Sequence, residues 1–535
     1  MPTNALLYHR RPQPKDAPEV RAEALYEEAG RLRQSGKLDD AIAAYDQALK
    51  LRPAFPEALR AGGCVLRDLG YIDGALAFFA EALRHRPTYL DAVLDRGNLL
   101  CQLLRLEEAF ATFDTALATL PDCPALLINK GIVLHELGRL PEAHDVLVAA
   151  VAKDPTSAKA HLNHGNVLAR QFRHADALPA FERALSLQPD YSAAHTGRGL
   201  ALKMLGRFGE AAPAFEAALA LEPDNPFALK NRGELRLLLG DRERGLRDYE
   251  ARLRTYAQDW PRFRQPPSLW SGHALAGQRV LAIADDGSGD VIQFARYVPR
   301  LVAAGAAVTV ICRPRLQRLL RSVTRGTSVV TGVDETAIFD LLIPFSSLPF
   351  VFAAEADAFA AKPYLAAEAD AVAAWALRLG ARGFKIGLCW RGSQDWRADP
   401  NRSLRLSCFD PLAAVPGVRL ISLQVDEGDE SATVPWLERL EALDAGADAF
   451  IDTAAVMANL DLVVTCDTSI AHLAGALGRP TAVLLRTVPE WRWMLGRADS
   501  PWYPTMQIFR QSQPGAWQAP VEQLVAAVRK RLPAA

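Results

Sequence analysis

The sequence predicts a solenoid of paired helices followed by two α/β lobes built on parallel sheets. Three observations carry this. Proline, alanine and glycine recur at a 34-residue step through the first half. Apolar strand-like runs alternate with helical patterns through the second half. Glycine-rich and hydroxyl-rich turns follow two of those runs.

The repeat is read from several positions at once. Prolines fall at Pro53, Pro87, Pro121, Pro155, Pro189 and Pro223, and an alanine precedes each by five residues, from Ala48 to Ala218. Three residues before each alanine stands a large apolar side chain: Tyr45, Phe79, Phe113, Leu147, Phe181 and Phe215. Small residues recur at Ala29, Gly63, Gly97, Gly131, Gly165, Gly199 and Gly233, and turn glycines at Gly36, Gly70, Gly138, Gly206 and Gly240, with Leu104 and Phe172 in the two intervening places. Small residues let paired helices approach, the large residue is expected to fill the gap to the next unit, and proline stops the second helix. This pattern resembles the tetratricopeptide (TPR) repeat over residues 22–255, after an N-terminal tail 1–21. The resemblance implies a superhelix whose units bury their apolar faces by stacking and leave a concave groove.

The inward positions of that groove carry Asn129, Asn163 and Asn231 at the sixth place of the first helix and Asn98 and Asn166 at the ninth. An asparagine amide can pair with the backbone of an extended peptide whatever its side chains. A similar asparagine ladder occurs in O-GlcNAc transferases, which implies a protein partner bound by its backbone. Solvated helix surface is the other reading of the same residues. His161 and His164 have a spacing that could suit a metal, but no third ligand is evident, and a surface or packing role is expected.

Length and composition are consistent with this plan. The chain has 535 residues, 50% hydrophobic and 23% charged, which excludes a disordered or collagen-like chain and supplies several cores. Lys plus Arg is 61 against 62 for Asp plus Glu, so no bulk attraction to nucleic acid or an anionic membrane is expected. Seven scattered cysteines without a C-x-x-C argue against a disulfide framework or structural zinc and fit a reducing cytosol. The N-terminus lacks a signal-peptide core, and no run approaches the roughly 18 apolar residues of a spanning helix. A cytoplasmic protein with no integral membrane segment is the expectation.

A linker is predicted at 256–277, rich in Pro261, Pro266, Pro267, Trp260, Phe263 and Trp270. A first Rossmann-like lobe follows at 278–380, with strands at Arg279–Asp286, Ala307–Cys312, Ser328–Thr331 and Asp340–Pro344 and an Ala/Asp/Glu-rich stretch at Ala353–Ala376. A second lobe at 381–535 has strands at Lys385–Trp390, Arg419–Leu423, Leu462–Thr465 and Thr481–Leu485 and a last helix at Val521–Arg531. A cleft between the lobes is expected.

Three segments carry candidate chemistry. In Gly287-Ser288-Gly289-Asp290-Val291-Ile292 the glycines permit a tight turn and close approach of a ligand at Gly289, and Asp290 opens a helix; helix capping is the other reading of Asp290. In Cys466-Asp467-Thr468-Ser469-Ile470-Ala471-His472 a helix N-terminus with hydroxyl donors suits a diphosphate; His472 could reach the same anion or could be a packing histidine. In Trp390-Arg391-Gly392-Ser393, with Asn401-Arg402-Ser403 after it, arginines could clamp phosphate oxygens or lie in a solvated loop.

In this order the G-D-V-I turn, the W-x-G strand end and the D-T-S-x-x-H-L-A-x-A-L-G-x-P loop resemble the heptosyltransferase-like glycosyltransferases of GT-B fold. The whole chain is similar to bacterial fusions of TPR repeats with such a domain, some of which modify proteins, flagellin among them. The resemblance implies Asp290 as general base. It implies Gly289, Asp467, Thr468, Ser469, His472 and Arg402, with Arg391 in reserve, as the binding site of a nucleotide-sugar donor. No strict Asp-x-Asp occurs, so an inverting displacement without metal or other cofactor is implied. Asp285-Asp286 stands where related fusions carry Glu-Gln, and Thr-Ser where lipopolysaccharide enzymes carry Thr-Gly, so the donor sugar is not implied. Trp491, Trp493, Trp502 and Tyr503 could stack on a nucleotide base or pack between lobes. The leading expectation is transfer to a hydroxyl of a protein, possibly flagellin Ser or Thr, held by the repeats. The alternatives are an enzyme acting on lipid-linked or surface glycan, and a non-catalytic scaffold.

Overall fold

The computed structural model describes residues 18–256, 260–324, 326–353, 362–392, 400–425, 434–441, 443–446 and 448–532. Ser393, most of the N-terminal tail, and part of the Ala/Asp/Glu-rich stretch lie outside these residues. The chain divides into two compact units, Met1–Gly197 and Arg198–Ala535. The 34-residue spacing predicts one repeat domain ending at 255, whereas internal contacts group the residues from Arg198 onward with the α/β lobes.

In the first unit, ten helices from Pro18–Gln34 to His174–Leu187 alternate as antiparallel pairs, and Ser192 begins another. The repeat residues explain the pairing. A Cβ added at Gly63 would stand 2.7 Å from Phe79, at Gly97 2.1 Å from Phe113, at Gly131 2.5 Å from Leu147 and at Gly165 2.7 Å from Phe181. Each large residue therefore fills a hollow left by the glycine of its own unit. Phe181 also reaches Gly197 of the next one, the part assigned to it in the sequence. Phe79, Phe113, Leu147 and Phe181 are fully buried. The turns keep a left-handed residue even without glycine: Leu104 has φ 58° and Phe172 φ 60°, beside 76° at Gly138. Stacking of the units holds these two residues in a conformation that costs an L side chain roughly 1–2 kcal/mol.

The second unit begins with helices Phe208–Leu221, Pro226–Leu238 and Arg242–Tyr249. In the last pair the glycine faces backbone, not a side chain: a Cβ on Gly233 would meet the Tyr249 backbone nitrogen at 2.7 Å. Two parallel sheets follow. The first runs β1(Ser268–Leu269), β5(Leu341–Pro344), β2(Arg279–Ile283), β3(Ala307–Ile311), β4(Ser328–Val330) in spatial order. The second runs β11(Met506–Arg510), β10(Thr481–Leu485), β9(Leu462–Cys466), β6(Phe384–Cys389), β7(Val418–Ser422), β8(Leu437–Glu438). Among the described residues these strands pair with one another in parallel, and an isolated antiparallel bridge joins Asp499 to Gln507 of β11. The segment read as a linker supplies β1, and its Trp270 is buried edge-on against Phe352, centroids 5.9 Å apart. Two residues of strand are too short to register as a periodic pattern. One hydrophobic core runs from Leu237, Leu238 and Tyr249 of the last helix pair through both sheets to Met506 and Ile508. Among the described residues no helix is long and apolar enough to cross a membrane.

Candidate active site

Strand order reverses between β2 and β5 in the first sheet and between β6 and β9 in the second. At such reversals the connecting loops diverge and leave a crevice at the strands' carboxyl ends. The residues singled out in the sequence stand at these two places. Asp285 and Asp286 follow β2, and Ser346 follows β5. Ser346 Oγ donates to Asp285 Oδ2 at 2.7 Å. In the second sheet Trp390, Arg391 and Gly392 follow β6, and Asp467, Thr468 and Ser469 follow β9.

The two crevices meet through helices Ser288–Phe294 and Ser469–Ala476. A Cβ on Gly289 would lie 2.9 Å from His472 Cδ2 and 3.4 Å from Ser469 Cα, so glycine is what lets the two helices approach. This gives Gly289 a packing reason beside the proposed ligand contact. Thr468 caps the second helix by accepting from the Ile470 N–H at 3.3 Å, and its hydroxyl also pairs with that of Thr465 at 3.1 Å. Thr468 is thus engaged within the protein, while Ser469 is half-buried at the helix entrance.

Arg402 crosses from the other side. Its guanidinium lies over Gly392, where a Cβ would meet Nε at 2.5 Å, and it helps to hold down the Asp467 carboxyl. The Ser403 hydroxyl accepts from the Gly392 N–H at 3.1 Å, and the Leu404 N–H donates to the Trp390 carbonyl at 2.8 Å, which closes the loop bearing Arg402. The Arg391 N–H donates to Gln424 Oε1 at 3.2 Å.

His472 makes packing contacts. It is buried, stacked on Trp493 at 5.4 Å and hydrogen-bonded through Nδ1 to the Tyr503 hydroxyl at 3.0 Å. Burial, with Arg492 and Arg296 nearby, drives its pKa well below the usual value, which favours the neutral imidazole. Trp491, Trp493, Trp502 and Tyr503 are buried and pack on one another and on Tyr249 and Phe294.

Carboxyls gather around the meeting point. Burial raises Asp290 to about 7, opposed by an ion pair with Arg492 and reinforced by Asp286, Glu490 and Asp467. Burial and Glu490 raise Asp467 to about 6, and burial and Asp286 raise Asp285 to about 6. A carboxyl poised near neutrality at a crevice can take a proton from a hydroxyl. Arg492 and Glu490 carry no signal in the sequence: TVPEWRWML stands out for its tryptophans, and nothing in its spacing points to the distant Asp290.

The asparagines fall in both units. Asn129, Asn163 and Asn231 share one arrangement, each side-chain amide donating to the carbonyl four residues earlier at 2.9, 2.8 and 2.9 Å. Asn98 is exposed and Asn166 half-buried, and among the described residues neither makes this bond. Asn231 Oδ1 accepts from the buried Lys203 at 3.2 Å, and Lys203 also pairs with Glu234 at 2.7 Å. His164 pairs with His144 at 3.2 Å, a partner the sequence reading did not name.

Comparison with known proteins gives the class first. Residues 94–158, 162–226 and 202–260 match the tetratricopeptide repeat model and 31–63 a TPR repeat model. Residues 445–523 match glycosyltransferase family 9 (heptosyltransferase). The chain therefore joins TPR repeats to a heptosyltransferase-family domain. A particular relative is Protein FlbA of Caulobacter vibrioides, 28% identical over 323 residues that cover 55% of this chain and 53% of FlbA. The chain spans about half the length of that curated relative. Among solved structures, a tetratricopeptide repeat protein from Parabacteroides merdae is 21% identical, with 44% of this chain and 94% of that chain covered at a TM-score of 0.39. YrrB, described as a TPR protein with an unusual peptide-binding site, is 22% identical, with 35% and 96% covered and a TM-score of 0.30.

Proposed function

We propose that the chain is a GT-B glycosyltransferase that moves a sugar from a nucleotide-sugar donor to a hydroxyl of a protein held by its repeats. The observation that carries the reading is the meeting of two strand-order reversals at one place, with Asp290 on one side and Asp467, Ser469 and Arg402 on the other. The family 9 match over 445–523 includes Asp467, Ser469 and His472 and supports the choice of donor side.

In this reading Asp290 takes the proton of the acceptor hydroxyl as its oxygen attacks the anomeric carbon. The bond to the nucleotide phosphate breaks with inversion, and the proton remains on Asp290. Arg402 and the amides at the start of helix Ser469–Ala476 balance the charge of the departing phosphate, with no metal or cofactor required. Asp467 sets the polarity of that loop, Arg391 is the second phosphate ligand, and His472 contributes as a neutral ring. The asparagines at 98, 129, 163, 166 and 231 hold the acceptor backbone. A cytoplasmic setting is part of this reading. Flagellin is one acceptor of the required kind.

The experiment is incubation of the purified chain with a panel of UDP-, GDP-, ADP- and CMP-sugars and the proteins that co-purify with it, read by intact mass. A mass increment of one sugar on a protein supports the reading. Increments confined to a glycan would favour the glycan alternative, and no turnover of any donor would favour a scaffold.

A further inference from the structure

We propose that Arg492 is a positioning residue, carried by a loop that is anchored on the last repeat, and that it keeps the Asp290 carboxylate oriented and charged at the crevice. The proposal deepens the functional reading above and rests on it for the role of Asp290.

The loop Thr487–Leu495 is fixed from the repeat side. The Leu495 N–H donates to the Leu238 carbonyl at 3.2 Å, the Tyr249 ring meets Trp491 edge-on at 5.7 Å, and Met494 lies where a Cβ on Gly240 would reach it at 3.3 Å. Those partners come from helices Pro226–Leu238 and Arg242–Tyr249 and from the turn between them. Arg492 is 7% exposed, its guanidinium 4.6 Å from the Trp491 ring and 5.5 Å from that of Phe294. From there one Nη pairs with Asp290, and the other is 3.6 Å from Glu490.

A buried guanidinium is held by such packing because an arginine without a carboxylate partner would be costly there. The groups facing Asp290 are otherwise negative: Asp286 after β2, Glu490 on the same loop and Asp467 after β9. Glu234 of the last repeat and its partner Lys203 lie beyond Arg492, the Tyr249 hydroxyl stands near it, and His472 is neutral. Arg492 is thus the charge that opposes burial and three carboxylates at Asp290. Without it the carboxyl takes up a proton at higher pH and ceases to be a base at neutrality.

The test measures Asp290 directly in the full-length protein. Carbodiimide labels protonated carboxyls, and peptide mass spectrometry follows Asp290 labelling from pH 5 to 9 in native protein, Arg492→Gln, Arg492→Lys and Tyr249→Ala. The midpoint is expected to rise by about one pH unit or more in Arg492→Gln, to stay near the native value in Arg492→Lys, and to rise by less in Tyr249→Ala, where only the repeat-side anchor is cut. Turnover of Arg492→Gln should fall roughly fivefold at pH 7 and recover toward native by pH 9. An unchanged midpoint in a folded Arg492→Gln overturns the proposal. So does failure of Arg492→Lys to restore the native midpoint. An unchanged midpoint in Tyr249→Ala overturns the anchoring by the repeat. A shifted midpoint in a protein that turns over no donor would uphold the role of Arg492 and sink the functional reading instead.

Discussion

The repeats of the first unit and the lobes of the second are built from contacts of different range. In the repeats the decisive pairs, Gly63 with Phe79 or Gly97 with Phe113, lie in adjoining helices and recur in each unit. At the crevice the decisive pairs, Asp290 with Arg492 or Gly289 with His472, join distant segments and occur once. Local, repeated contacts make a region robust and readable. Single long-range contacts make a site that one substitution can disable.

The difference can be tested from the repeat side first. Phe113→Ala removes a fully buried ring and should cost helices Leu90–Gln102 and Leu106–Thr119 about 3–5 kcal/mol of local stability. Amide hydrogen exchange should accelerate in those helices and stay native in β2, β6 and β9. Acceleration spread evenly through both units would mean that the repeat contacts are not local.

On the lobe side, Arg402→Ala should leave the fold intact and weaken binding of a nucleoside diphosphate by about 1–3 kcal/mol, measured by calorimetry. Native affinity in that variant would remove Arg402 from the donor site.

The lobes should also carry a pH signature opposite in sign to that of the repeats, where burial and the neighbouring His144 lower His164 to about 4 and so favour the folded state at higher pH. Asp285, Asp290 and Asp467 have folded pKa values raised to about 6, 7 and 6, so the folded state holds protons there that the unfolded state releases near pH 4. Stability of the second unit should therefore fall as pH rises from about 5 to 7, by up to about 1.4 kcal/mol per pH unit for each group in transition. A thermal melt that moves up on acidification from pH 8 to 6, and does so less in Asp290→Asn, is the expected result. A melt flat over that range would mean these carboxyls are ionised throughout.

The smallest effect concerns the groove. Asn129→Ala with Asn163→Ala removes two of the three matched amides, and each should cost about 0.5–1.5 kcal/mol in capture of the acceptor. Acceptor capture equal to that of the native protein would place recognition elsewhere.

Most of the fold was legible in the sequence. The proline, alanine and glycine spacing gave every repeat helix pair, because each contact reappears at the same offset. Strands β2 to β7, β9 and β10 were legible as apolar runs between turns. What escaped had no local pattern. Strand β1 is two residues in a proline-rich segment, and β11 follows Ser500-Pro501-Trp502-Tyr503-Pro504 without an alternation of its own. The left-handed turns at Leu104 and Phe172 follow from the stacking of neighbours, not from their own preference. At the candidate site, turn chemistry singled out Asp290 and the Asp467–His472 loop, two segments that pack together in the fold. The neutral state of His472 and the ion pair of Arg492 depend on burial by Trp493, Tyr503 and Tyr249, which only the folded chain brings together.

The most direct test of the central claim is transfer by Asp290→Asn compared with the native chain, with nucleoside diphosphate affinity measured on the same samples. Asparagine keeps the size and polarity of the side chain and removes its capacity as a base. Nucleotide affinity should remain within about twofold, since Asp290 stands on the acceptor side, while transfer falls by about 10²–10⁴-fold. Undiminished transfer by the folded variant would contradict the assignment of Asp290 as the base on which the functional reading is built.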